Sequence, residues 1–127
     1  MIQGIGADII EVERFQQSIS RFGDRLIIKL FTHGEIHYCN SQVNPAMYFA
    51  SFFAAKEALS KALATGNTGI FSWKDVEVNF LTNGKQELHF HNSIAERLKS
   101  YNTILSLFMS EMHVAAFVTI QYYRTPK

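Results

Sequence analysis

Hydrophobic and polar positions in the first quarter of the chain predict a strand followed by helical structure. Residues 2–10 alternate in part between apolar and polar side chains and are rich in isoleucine, which is typical of a β-strand. Helical periodicity runs from about Val12 to Gln17 and resumes through Ile28, with an interruption at Gly23. The pattern therefore predicts a strand that leads directly into an interrupted helical region.

A long apolar helix is predicted at the centre of the chain. A short helix around residues 34–39 precedes it, and Asn44-Pro45 then supplies a polar residue and a first-turn proline, which often open a helix. The long helix is expected to extend from about Pro45 to Ala64. It should stop at Thr65-Gly66, because glycine commonly follows the last helical residue.

The second half of the chain is predicted to be mainly β-structure. The turn Thr82-Asn83-Gly84-Lys85 separates two alternating runs, and Asn-Gly between such runs is a strong hairpin signal. Asn92 or Ser93 is expected to cap a following short helix. The predicted segments are strands at Val76–Phe80 and Glu87–His91, a helix from Ile94 to about Lys99, and strands at Thr103–Phe108 and Val114–Tyr122. Strands and helices in this order indicate an α+β fold, with an antiparallel sheet packed with the long central helix.

Composition narrows the class of protein. The 127 residues suit a single domain spanning 1–127, and 47% hydrophobic with 18% charged residues is typical of a globular protein. A net charge of +1 predicts no general attraction to nucleic acid or membrane, so a charged partner must meet a local patch. The single cysteine, Cys39, and an N-terminal segment unlike a signal peptide favour a cytoplasmic location.

Charged residues interrupt the apolar central helix. At about 100° per residue, Glu57 and Lys61 share a stripe with Ala50, Phe53 and Ala54. One interpretation is an ordinary Glu-Lys pair one helical turn apart, which would add a few tenths of a kcal/mol to stability. The alternative is a functional site, because ionised groups on an apolar face are costly unless they are used or paired.

The predicted first strand offers a partner for this stripe. In GIGADII, Gly4, Gly6 and Asp8 fall on one face of the strand, and the glycines leave room beside the aspartate. Asp8 could be an ordinary solvent-exposed residue. Together, however, Asp8 and Glu57 would suit Mg²⁺, which usually takes one or two protein carboxylates and fills its remaining positions with water and phosphate oxygens.

The segments GIGADIIEVERF and FAAKEALSKALATG together resemble the holo-[acyl-carrier-protein] synthase family of 4′-phosphopantetheinyl transferases. That family opens with Gly-Ile-Gly-x-Asp and an arginine six residues after the aspartate, and its central helix carries Phe-(Ala/Ser)-x-Lys-Glu-Ala-x-x-Lys-Ala. Both motifs match here at the expected spacing. RFGDRLIIKLFTHGEIHYC, FSWKDVEV and the Asn-Gly hairpin are also similar, so the resemblance covers nearly the whole chain.

The resemblance implies an enzyme that transfers the phosphopantetheine arm of coenzyme A to a serine of apo acyl carrier protein and releases adenosine 3′,5′-bisphosphate. It implies that Asp8 and Glu57 hold Mg²⁺, that Glu57 and Lys61 are catalytic, and that Lys61 and Gly66 contact coenzyme A. Glu57, directly or through a metal-bound water, is the candidate acceptor of the serine proton. The resemblance also implies a homotrimer with sites at subunit interfaces.

The partner implied by the resemblance, acyl carrier protein, is acidic and docks on the helix after the first strand. Arg14, Arg21 and Arg25 follow helical spacing there and are expected to form its binding face. The alternative is an ordinary solvated helix face.

Two polar contacts of the family are replaced in this chain. Aligned without gaps, Phe108-Met109 stands where the family has Ser-His, a pair whose histidine contacts the cofactor's phosphates, and His113 stands on a family tyrosine. Phe52 occupies the position of an arginine that commonly precedes the central motif. The alternative function is therefore a non-catalytic or weakly active relative that binds the carrier protein or coenzyme A.

Overall fold

The computed structural model describes residues 1–65 and 71–123. The elements, in chain order, are β1 (Ile2–Glu11), α1 (Val12–Phe22), α2 (Asp24–Leu30), α3 (His33–Asn40), α4 (Pro45–Thr65), a short 3₁₀ helix (Trp73–Asp75), β2 (Val76–Phe80), β3 (Gln86–Phe90), α5 (Asn92–Leu98), β4 (Tyr101–Met109) and β5 (His113–Tyr122).

The strands form two antiparallel sheets. One has the order β1-β5-β4, and the register places Asp8 opposite Ala116 and Ala116 opposite Leu107. The other is the β2-β3 hairpin, whose turn is made possible by Gly84 at φ 85°. The α+β fold predicted from the sequence, with an antiparallel sheet against a long helix, is confirmed.

Helix α4 packs directly against the backbone of β1. A Cβ atom added to Gly6 would lie 1.9 Å from the Ala58 carbonyl oxygen and 2.6 Å from the Ala62 nitrogen. Buried alanines on α4, including Ala54 and Ala58, keep the helix side of the contact equally small. Small residues on both elements therefore bring the end of β1 that carries Asp8 close to the middle of α4. No helix in the described ranges is both long and apolar enough to cross a membrane.

Polar caps and one glycine set the ends of the helices. The Thr32 side chain accepts a hydrogen bond from the Glu35 backbone, and the Glu35 carboxylate accepts one from Thr32, which together form a capping box at the start of α3. Asn44 Oδ1 accepts from the Met47 N–H at the start of α4, as the Asn-Pro signal predicted. Gly23, at φ 68°, separates α1 from α2.

Several boundaries differ from the sequence-based prediction by one or two residues, among them the starts of α5 and β4. Helix α5 begins at Asn92 itself, so the predicted cap at Asn92 or Ser93 is not formed, and the Asn92 amide donates to Asp75 Oδ1 at 2.8 Å. Strand β4 begins at Tyr101, two residues before the predicted Thr103, since pairing with β5 continues to Tyr122. Neither change moves the predicted site residues to another element.

One face of the three-stranded sheet packs against α4, and the opposite face is apolar and exposed. We call this second surface the outer sheet face. Its large exposed side chains are Ile5, Ile9, Ile104, Phe108 and Phe117. Contiguous exposed surface of this kind usually marks an interaction site.

Candidate active site

Asp8 and Lys61 form an ion pair where β1 crosses α4. Lys61 Nζ lies 2.9 Å from Asp8 Oδ1 and 3.2 Å from the Ala7 carbonyl oxygen. The Lys61 side chain is 52% exposed and that of Asp8 17%. The hydrogen bond that Lys61 donates to Asp8 raises the pKa of Lys61, so the ammonium is charged at neutral pH. The Lys61 ammonium is therefore paired with Asp8, the carboxylate that the sequence motif identified.

Glu57 lies beside this pair without joining it. Burial and the negative charge of Asp8 raise the pKa of Glu57, whereas the charge of Lys61 lowers it, so the three groups influence one another. Over the described ranges, the Glu57 carboxylate has no hydrogen bond or ion pair. The ordinary Glu57–Lys61 helix pair is thus not formed, because Lys61 reaches across to β1 instead.

The donor set at this point fits a hard divalent cation. Two carboxylates, Asp8 and Glu57, interact electrostatically, and oxygen atoms are the ligands that Mg²⁺ prefers. No group of three or more His, Cys, Asp or Glu side chains able to hold a metal occurs within residues 1–65 and 71–123. Two protein carboxylates suit Mg²⁺, which commonly keeps its remaining positions for water and phosphate oxygens.

The other charged residue of the helical motif, Lys56, is buried and forms a separate network. Its side chain is 0% exposed, and its Nζ donates to Glu35 Oε1 at 2.7 Å, the Leu30 carbonyl at 2.7 Å and the Trp73 carbonyl at 3.0 Å. Burial lowers the pKa of Lys56, while the Glu35 charge opposes that shift. Lys56 therefore joins α4 to the end of α2, the start of α3 and the 3₁₀ helix.

Glu35 completes this network from the opposite side. One of its oxygens accepts from Lys56 and from the Thr32 N–H, and the other accepts from the Val78 N–H at 2.8 Å. Burial raises the pKa of Glu35, and Lys56 and the backbone donors counteract that rise. The sequence analysis missed Glu35, although Thr32-x-x-Glu35 carries the capping-box spacing.

The residues that depart from the family pattern occupy three different environments. Phe52 is 0% exposed and stacks against Tyr38 and Phe80, with ring centroids 5.9 Å and 5.8 Å away, so the family arginine is replaced by a core side chain. Met109 is partly buried against the core at the end of β4, and Phe108 points to the outer sheet face. His113 is exposed at the start of β5, where its register partner is Glu11 rather than Asp8.

The three predicted carrier-binding arginines are exposed but do not share one helix. Arg14 and Arg21 lie on α1, whereas Arg25 lies on α2, after the break at Gly23. The prediction that the three arginines form one continuous helical stripe is therefore wrong, because the positive φ of Gly23 turns the chain between Arg21 and Arg25. Gly66, the second predicted coenzyme A contact, lies outside the described residues.

Comparison with known proteins assigns the chain to a class. The family described as the 4′-phosphopantetheinyl transferase superfamily matches residues 4–118. Because that match covers most of the chain, the chain belongs to this superfamily, and the predicted enzyme class is confirmed.

Individual relatives narrow the class further. The holo-[acyl-carrier-protein] synthases of Koribacter versatilis and Protochlamydia amoebophila are 41% and 38% identical, over 95% and 92% of this chain and 99% and 96% of theirs. The crystal structure of the Neisseria meningitidis holo-[acyl-carrier-protein] synthase has a TM-score of 0.84 at 28% identity, covering 95% of this chain and 99% of that one. The Bacillus anthracis enzyme, solved in complex with CoA (3′,5′-ADP), has a TM-score of 0.78 at 30% identity, with 96% and 98% coverage. The family predicted from the two sequence motifs is confirmed, and the non-catalytic alternative is not favoured.

Proposed function

We propose that this chain is a holo-[acyl-carrier-protein] synthase that transfers 4′-phosphopantetheine from coenzyme A to a serine hydroxyl of apo acyl carrier protein. The observation that carries the proposal is the cluster of Asp8, Glu57 and Lys61 at the contact of β1 with α4, in a member of this superfamily. Relatives of the same name match almost the whole chain. The B. anthracis relative was solved with the cofactor, which supports coenzyme A as the donor.

The reaction exchanges one phosphorus–oxygen bond for another. The serine oxygen of the carrier bonds to the phosphorus that bears the pantetheine arm, and the bond from that phosphorus to the bridging diphosphate oxygen breaks. Adenosine 3′,5′-bisphosphate leaves with the bridging oxygen. Catalysis of such a transfer depends mainly on positioning the reactants and neutralising charge.

Each member of the cluster has a proposed part in this reaction. Asp8 and Glu57 are the residues that would hold Mg²⁺, which when bound neutralises charge on the diphosphate. Lys61, whose side chain is half exposed, would bind a phosphate oxygen of the diphosphate. Gly66, which follows Thr65 in the sequence, is proposed to contact coenzyme A.

Glu57 is also the proposed acceptor of the serine proton. It would accept the proton directly or through a metal-bound water. In the described ranges no hydrogen bond engages its carboxylate, which leaves an acceptor available to a hydroxyl group.

The acidic carrier protein is proposed to dock on the exposed arginines beside the site. Arg14 lies six residues after Asp8, near the start of the helix that follows β1, and Arg21 and Arg25 are exposed on α1 and α2. Since the net charge is only +1, attraction to an acidic partner must come from such a local patch.

We further propose that three copies of this chain associate through the outer sheet face. That surface exposes Ile5, Ile9, Ile104, Phe108 and Phe117, whose burial between copies would be favourable. Residues 1–127 are proposed to form one domain, because residues from both halves share a single buried core. A cytoplasmic location stays a prediction.

Mass spectrometry of the carrier tests the activity. Purified protein is mixed with apo acyl carrier protein, coenzyme A and Mg²⁺, and the carrier is expected to gain the mass of the phosphopantetheine arm. A carrier whose acceptor serine is replaced by alanine should gain nothing. An unmodified wild-type carrier that nevertheless binds the protein would instead support the non-catalytic alternative.

A further inference from the structure

The ammonium group of Lys61 forms an ion pair with Asp8, one of the two carboxylates proposed to hold the metal. Its Nζ is 2.9 Å from Asp8 Oδ1 and is held in place by the Ala7 carbonyl at 3.2 Å. A divalent cation on Asp8 would lie a few ångströms from this positive charge, and like charges at such distances repel each other strongly. Lys61 in its present position therefore competes with the metal.

Lys61 is also able to leave Asp8. Its side chain is 52% exposed, and ion pairs that water can reach contribute little to stability. A phosphate oxygen would offer the ammonium a replacement partner of the same charge sign as Asp8. A diphosphate co-substrate can therefore take Lys61 from Asp8 at low cost and leave that carboxylate to the metal.

We propose that Lys61 couples metal binding to co-substrate binding. Lys61 pairs with Asp8 in the free protein and moves to the diphosphate when coenzyme A binds. As a result, each of the two ligands increases the binding affinity of the other. This inference rests on the proposed function. It adds that Lys61 disfavours metal binding in the absence of coenzyme A, and that the metal and the co-substrate bind cooperatively. Linkage requires the two enhancements to be equal.

Substitution of Lys61 separates this coupling from direct attraction between metal and phosphate. In Lys61→Met no ammonium competes for Asp8, so the metal should bind more tightly to the free protein. Only the direct attraction between metal and diphosphate would then remain, so the enhancement by coenzyme A should shrink. Asp8→Asn should release Lys61 from the other side and strengthen coenzyme A binding in the absence of metal.

The experiment is a titration with Mn²⁺, followed by the electron paramagnetic resonance signal of the free ion, with and without coenzyme A and with no carrier present. Lys61→Met is expected to bind Mn²⁺ about tenfold more tightly than wild type without coenzyme A, and to lose about tenfold of the enhancement that coenzyme A causes. Lys99→Met is the matched control, because it removes a lysine from an exposed ion pair with Glu96 on α5. It should behave as wild type.

Two results would overturn the inference. Equal Mn²⁺ affinities and equal enhancement by coenzyme A in wild type and Lys61→Met would show that Lys61 does not compete for Asp8. Absence of Mn²⁺ binding from every variant would remove the metal from the cluster altogether. Because the titration measures binding without turnover, either result can be separated from failure of the transfer assay, which tests the proposed function itself.

Discussion

Lys56 and Lys61 lie on the same helix, and each forms an ion pair with a carboxylate far away in sequence, but their surroundings are opposite. Lys56 and Glu35 are both 0% exposed in their side chains, and backbone groups complete their hydrogen bonds. Lys61 is 52% exposed, and its pair with Asp8 borders a third carboxylate, Glu57, that has no partner within the described ranges. A lysine and a carboxylate thus form a buried, fully hydrogen-bonded network in one place and a solvent-exposed pair in the other.

The difference between the two ion pairs indicates which of the charged side chains are available to bind a ligand. Every acceptor around Lys56 is a group of the protein itself, so moving this lysine would leave buried carbonyls and a buried carboxylate unpaired, at high cost. Lys61 can exchange its partners for those of a ligand, because water already competes for them. The buried pair is therefore expected to control stability. The exposed pair is expected to control ligand binding and turnover.

The largest expected effect is loss of stability when the buried network is broken. Lys56→Met leaves Glu35 buried without its partner and should lower the free energy of unfolding by about 3–5 kcal/mol, measured by urea denaturation. Glu35→Leu/Lys56→Met should lose less than the sum of the two single variants, because neither buried charge is then unpaired. Additive losses would show that the two side chains do not act as a pair.

The pH dependence of Lys56→Met gives a second measure of the same network. Burial raises the pKa of Glu35, and removal of Lys56 takes away an opposing influence, so the folded protein should favour the protonated carboxyl. A raised pKa in the folded state means that stability falls as pH rises through it. The loss relative to wild type should therefore be smaller at about pH 5 than at about pH 8. A loss independent of pH would contradict this view of Glu35.

A smaller change in stability, with a large change in turnover, is expected at the exposed pair. Lys61→Met should change the free energy of unfolding by no more than about 1 kcal/mol. It should lower the rate of arm transfer about 100-fold, the order expected when one group that stabilises transition-state charge is lost. Lys61→Arg should retain more activity than Lys61→Ala, since it keeps the charge. A loss confined to thermal stability would make Lys61 a structural residue like Lys56.

The smallest effect is expected at the proposed carrier-binding arginines. Arg14→Glu/Arg21→Glu should raise the KM for carrier protein about tenfold at low salt, with coenzyme A binding nearly unchanged. Added salt should bring wild type toward the variant, because exposed charges are screened over about 8 Å at physiological ionic strength. Lys74→Glu/Lys99→Glu reverses the same number of charges elsewhere and serves as the control. An unchanged KM for carrier protein would show that the arginines of α1 belong to an ordinary solvated helix face.

Much of the fold could be predicted from the sequence because its signals are local. The isoleucine-rich strand, the Asn44-Pro45 helix start and the Asn83-Gly84 hairpin each follow from neighbouring residues, and each is present in the structure. The approach of Asp8 to the central helix also had a local signal, since Gly6 removes the side chain that would meet Ala58.

The features that could not be predicted depend on contacts between residues that are distant in sequence. Nothing near Lys56 indicates that it pairs with Glu35, 21 residues earlier, or that Lys61 turns to Asp8, 53 residues earlier, rather than to the adjacent Glu57. Phe52 stands where the family pattern has an arginine, and its burial among aromatic rings is a property of the folded core that the local sequence does not indicate. Helical spacing likewise placed Arg25 on one stripe with Arg14, and Gly23 ended the helix between them.

The most direct test of the central claim, that Asp8 and Glu57 form the reactive end of the site, is the rate of arm transfer by Glu57→Gln. The amide keeps the shape of the side chain but removes both the anionic ligand and the proton acceptor. The rate should therefore fall about 100-fold or more. Glu96→Gln, at an exposed glutamate on α5, should match wild type. A Glu57→Gln protein that transfers the arm at nearly the wild-type rate at limiting Mg²⁺ would contradict the account.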